Sequence, residues 1–113
     1  MSAHEENRHA GQGSVLLDIG GDVGALVVVA PEEMLGREVE IAPEDEPFQL
    51  VHRPHVAVVR RPVAGGEVAS LVFPELASGR YALAEKGTAD VRLLVDVRGG
   101  EVTATNWPGS PTD

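Results

Sequence analysis

The sequence predicts an all-β fold, a single antiparallel β-sandwich of about seven or eight strands with disordered termini. Two observations carry this. Short apolar, β-branched runs alternate with Gly- and Pro-rich turns about every ten residues. Between two such runs, Leu76, Gly79 and Tyr81 have the spacing of a corner where a chain crosses from one sheet to the other. At such a corner a leucine plugs the core, a glycine is free to take positive φ, and a tyrosine buries its ring while its hydroxyl reaches an upstream backbone group. A chain of 113 residues has room for one domain with a core that needs neither disulfide nor structural metal.

Met1 to Gly13 is polar, holds two of the four histidines and shows no periodicity, so it is expected to be a disordered tail. The sandwich is expected over 14–107, with a second tail over 108–113. Val15, Leu17 and Ile19 alternate with Leu16 and Asp18 as a first strand. Gly20 to Gly24 supplies a turn, and Ala25 to Ala30, apolar throughout, is expected as a central strand ended by Pro31. Pro31 to Gly36 suits one helical turn of no consequence to the fold, with Glu32 and Glu33 near its positive dipole end.

Glu38 to Ile41 alternates charged outward and apolar inward, and Pro43 to Pro47 forms an acidic, solvated loop. His55 to Arg61 and Glu67 to Phe73 flank Pro62 to Gly66 as an antiparallel hairpin. After the corner, Arg80 to Glu85 places Tyr81 and Leu83 inward. Val91, Leu93, Val95 and Val97 share one face of the next strand, and Gly99-Gly100 turns it into a second hairpin with Glu101 to Thr105. Trp107 is expected to dock back.

The Leu76, Gly79, Tyr81 spacing, set among these strands, resembles the prealbumin-like or transthyretin-like sandwiches of the broader Ig-like class. These include bacterial surface stalk modules and carboxypeptidase regulatory domains. The resemblance covers about Glu38 to Thr105 and implies a module that binds, spaces or caps others. The run from Val15 to Val27, with Phe73 to Tyr81, also resembles a family of small uncharacterised proteins of high-GC Gram-positive bacteria. That resemblance implies no catalytic residues.

The net charge of −9 and pI near 4.8 argue against nucleic-acid binding, which depends on clustered Lys and Arg; Arg60-Arg61 is the single basic doublet. The absence of cysteine excludes thiol chemistry and suits the reducing cytoplasm. The N-terminus is acidic where a secretory signal is basic, and Asp18, Asp22, Glu32 and Glu33 interrupt the most apolar region. A soluble, cytoplasmic protein is expected, with no membrane partner.

Asp18-Ile19-Gly20-Gly21 looks like the phosphate-gripping turn of actin-like ATPases, but that chemistry needs a large two-lobed fold. The glycine spacing also fails a dinucleotide fingerprint, and Asp18 and Asp22 lack the further oxygens of a calcium loop. A tight turn is the expectation. No nucleophile elbow surrounds Ser14, Ser70 or Ser78, and an outward pair such as Glu38 and Glu40 resembles a solvated face.

The functional expectation is therefore a non-catalytic binding or protein-interaction module without a cofactor, meeting an unknown protein or itself through a sheet edge. Glu38, Glu40 and the acidic loop are expected to guard one edge, leaving the strand start near Gly24 or Glu101 to Thr105 more available. The alternative is a copper- or zinc-binding accessory protein using His52 and His55, since imidazoles suit these ions in a thiol-free chain. Three positions apart on a regular strand the two rings point oppositely, unless Pro54 bends the chain.

Overall fold

The computed structural model describes residues 19–45, 54–88 and 90–109. Eight strands form two four-stranded sheets: β1 (Val23–Val29), β2 (Glu38–Pro43), β3 (His55–Ala57), β4 (Val59–Val63), β5 (Gly66–Ala77), β6 (Gly79–Glu85), β7 (Leu93–Val97) and β8 (Val102–Asn106). The first sheet has the order β4-β5-β1-β8 and the second β3-β2-β6-β7. The expected all-β sandwich is what the chain forms. The proposed first strand over Val15 to Ile19 and both tails fall largely outside the described residues.

Antiparallel neighbours in sequence, β2–β3, β4–β5 and β6–β7, stay within one sheet, and every other connection crosses to the opposite sheet. This leaves β1 and β8 to pair with each other, and they do so in parallel, from Ala25↔Val102 to Val29↔Asn106. The sandwich is therefore not wholly antiparallel, as the sequence had suggested. Gly99-Gly100 likewise does not close a β7–β8 hairpin. It carries the crossing from the second sheet to the first.

The two glycines do different things there. Gly100 takes a φ of 77°, whereas a Cβ on Gly99 would collide with the carbonyl of Gly21 and come within 2.7 Å of the Asp22 Cα. The crossing also passes over Gly24, where a Cβ would strike the Arg98 carbonyl. Both positions are glycine because backbone approaches backbone.

The stretch His55 to Arg61, expected as one strand, is two. Val58, 1% exposed, breaks it and carries the chain between sheets, its N–H donating to the Arg37 carbonyl at 2.9 Å and its carbonyl accepting from Gly36 at 2.9 Å. The one-turn 3-10 helix Glu32–Met34 also matters more than expected, because Met34 is buried in the main core.

That core lies between the sheets. Leu26 and Val28 of β1, Val39 and Ile41 of β2, Leu71 and Phe73 of β5, Leu83 of β6 and Val95 and Val97 of β7 meet there, together with Val58 and Trp107. Central β1 turns Leu26 and Val28 into the core, and its outward Val27 and Val29 are half-buried between the flanking strands. β5 outruns its expected end at Phe73. Between Leu26↔Phe73 and Gly24↔Leu76 two residues, Pro74 and Glu75, stand opposite Ala25 alone. This β-bulge resets the alternation, so Leu76 packs against the core, and it accommodates a proline inside the strand.

Candidate interaction site

The chain crosses from one sheet to the other at Ser78, with the tyrosine hydroxyl bonded back as the spacing predicts. Ser78 separates β5 from β6, and the Tyr81 hydroxyl donates to the Ala77 carbonyl at 2.8 Å. Leu76 and Tyr81 both pack against the main core, but the Tyr81 ring is half-buried rather than mostly buried. The phenol is desolvated enough for burial to raise its pKa. Gly79 lies at the margin of the extended range with φ of 159°, and a Cβ there would sit 3.9 Å from the Tyr81 ring. The corner therefore does not use left-handed backbone at Gly79.

An open cleft of about 360 Å³ lies beside this corner, lined by Glu44, Asp45, Ser78, Arg80 and Tyr81 among others. Several of its polar groups are engaged by neighbouring residues. Arg80 faces Glu44 at 3.5 Å and Asp96 at 4.0 Å, and the Ser78 hydroxyl donates to the Asp22 carbonyl at 3.2 Å. The arrangement holds the corner together and provides no base poised on a nucleophile.

Gly20 to Val23 is the tight turn expected, closed by paired backbone hydrogen bonds of 2.9 Å between Gly20 and Val23, with Gly21 at φ of 55°. His55 stands outward at the start of β3, its Nε2 3.5 Å from Glu38. His52 lies outside the described residues, and with it the question of convergence. Among the described residues no group of three or more His, Asp or Glu is placed to hold a metal ion. Within the same residues no helix is long and apolar enough to cross a membrane.

The outward faces of the two sheets differ. On the β3-β2-β6-β7 sheet, Glu38 meets His55 and also Lys86 at 3.1 Å, and Arg80 bridges Glu44 and Asp96, so charged side chains cross a floor of buried Ala42, Ala82 and Ala84. Glu38 and Glu40 belong to β2, which is interior, flanked by β3 and β6. They are not the edge guard the sequence suggested, and the Gly24 strand start is also interior. The error has a simple cause: outward carboxylates on an interior strand with one wet face give the same alternation as those on an edge.

On the β4-β5-β1-β8 sheet one row is apolar and the next is mixed but uncharged. Val72, Val27 and Ala104 are in register across three strands, as are Ser70, Val29 and Asn106. From the β4 edge, Arg61 donates through Nη1 to both the carbonyl and the hydroxyl of Ser70. Its Nε is buried without a partner, and burial lowers the pKa of its guanidinium.

Four edges result among the described residues, and three are blunted. β4 carries Arg60, Arg61 and Pro62; β3 has only three residues after Pro54; and the β7 residue Asp96 accepts at its carbonyl from the Thr103 hydroxyl at 3.3 Å. β8, Val-Thr-Ala-Thr-Asn, has no charge, no proline and no bulge, and Val102 (44% exposed) and Ala104 project outward from it. Sequence reasoning had pointed to this segment as an available edge. Comparison with family models, with characterised proteins and with solved structures finds no match.

Proposed function

We propose that this protein is a non-catalytic interaction module of the cytoplasm that binds an extended protein segment by adding it to the β8 edge. The observation that carries this reading is the charge-free edge itself, continuous in register with the apolar row of Val27 and Val72. An incoming strand gains main-chain hydrogen bonds along β8, and its alternate side chains rest beside Val102 and Ala104. The likeness of the corner to prealbumin-like modules, which bind, space or cap other domains, points the same way.

Selection of extended peptides from a random library, followed by amide hydrogen exchange of the complex, tests the proposal. Selected peptides are expected to slow exchange at Val102 to Asn106. Protection centred on the corner cleft around Arg80 and Tyr81 would overturn it.

A further inference from the structure

We propose that the outward face of β4 docks a partner protein segment that presents one carboxylate between two apolar side chains, with Arg61 taking the carboxylate. This face is separate from the β8 edge, with β5 and β1 lying between them. The inference therefore goes beyond strand addition at β8.

β4 pairs with β5 in unbroken register from Val59↔Ser70 to Val63↔Gly66. Ala69 and Leu71 turn into the core, so Val68 and Ser70 turn outward, and their partners Arg61 and Val59 share that face. Val63 follows two residues on. The outward positions of β4 thus read apolar, cationic, apolar. Val59 is 37% exposed and Val63 50%, so both valines offer surface to a partner.

The two arginines of β4 are placed differently. Arg60 meets Glu32 at 2.8 Å, whereas Arg61 meets no carboxylate among the described residues. Its Nη1 is committed to Ser70, its Nε is buried without an acceptor, and burial disfavours its charge. Beyond it Val72, Val27 and Val29 bring no compensating charge to the face. A carboxylate supplies the opposite charge and the acceptor that Arg61 lacks, and a planar guanidinium can hold it by two parallel hydrogen bonds.

The same observations narrow the partner. An extended segment shares the two-residue repeat of β4, about 7 Å, so apolar, acidic and apolar side chains at its alternate positions come opposite Val59, Arg61 and Val63 together. The chain carries −9, which repels an acidic partner at long range. The segment fitted to this face therefore bears a single carboxylate and not an acidic run.

Two synthetic peptides test the proposal, acetyl-Thr-Val-Thr-Glu-Thr-Val-Thr-amide and its counterpart with Gln for Glu, each titrated into the full chain by nuclear magnetic resonance. The glutamyl peptide is expected to bind at least about tenfold more tightly, as the loss of a charge-assisted hydrogen bond predicts, and to shift the Nε–H signal of Arg61. Arg61→Gln should abolish the preference, and Arg61→Lys, which keeps the charge without the fork, should restore only part of it. Circular dichroism verifies the fold of both variants, and the two titrations of the unsubstituted chain decide the matter even where a variant fails to fold. No binding by either peptide, equal affinity for the two with an unmoved Nε–H signal, or a preference that persists in Arg61→Gln overturns the assignment. Library peptides that still protect Val102 to Asn106 would in that case leave the interaction module standing without this second face.

Discussion

The Tyr81 hydroxyl reaches back across the turn to the Ala77 carbonyl at 2.8 Å, tying the last residue of β5 to the third residue of β6. The bond fixes the angle at which the chain leaves one sheet for the other. Tyr81→Phe removes the hydroxyl and keeps the ring against the core, so the loss should be about 1 kcal/mol. Urea unfolding should show a lower midpoint with an unchanged slope. A variant as stable as the parent would mean that water replaces the bond at no cost.

The same phenol predicts an alkaline dependence. Burial raises its pKa above the ordinary value of 10.0, so the folded state holds the proton more tightly than the unfolded chain does. The associated stability is complete below the ordinary value and is lost as pH rises through the folded one. There is one tyrosine, so tyrosinate absorbance reports on this residue alone among phenols. Its midpoint should lie higher in the native protein than in urea, and coincident midpoints would contradict the burial.

Gly24 and Gly99 should tolerate substitution worst among the glycines of the crossing. An added Cβ at Gly24 meets the Arg98 carbonyl and lies 3.0 Å from that of Glu101, and one at Gly99 meets the backbone of Gly21 and Asp22. These are backbone atoms that cannot rotate away. Alanine at either position should cost about 3 kcal/mol, near the top of the range for overpacking. Gly87, at φ of 89° with open space around it, should cost only about 1 kcal/mol as alanine, from backbone strain alone. Thermal midpoints of the three variants give the order, and equal losses would refute the close approach.

These glycines show where the sequence is silent. The β4–β5 hairpin, the central β1 and the corner are legible because each depends on local chemistry: a Gly-containing turn, an uninterrupted apolar run, a three-residue spacing. Gly99-Gly100 reads as a hairpin turn because a glycine required for close approach is indistinguishable in sequence from one required for positive φ. Nothing in His-Val-Ala-Val-Val-Arg-Arg marks Val58 as the point of crossing, since all its apolar residues suit either sheet. Which strand is an edge depends on long-range pairing, so Glu38 and Glu40 gave no sign that β2 is interior. The sequence left two candidate edges by elimination, of which the Glu101 to Thr105 segment lies at a sheet edge and the strand start near Gly24 is interior.

Trp107 anchors that edge. It follows β8 directly, is 2% exposed within the main core, and donates its N–H to the Val29 carbonyl at 2.7 Å, extending the parallel ladder one step. Among the described strands β8 pairs with β1, so the indole supplies much of what holds it down. Trp107→Ala should cost about 3–5 kcal/mol in urea unfolding, as expected for truncating a buried aromatic ring. Because the lost contacts lie at one end of the sheet, native-state amide exchange in the variant should accelerate first over Val102 to Asn106, before the central β5. Trp107→Phe should recover part of the stability by refilling part of the space. A loss below about 1 kcal/mol, within the range of ordinary surface substitutions and mild packing changes, would show that β8 is held by its ladder to β1 without the indole.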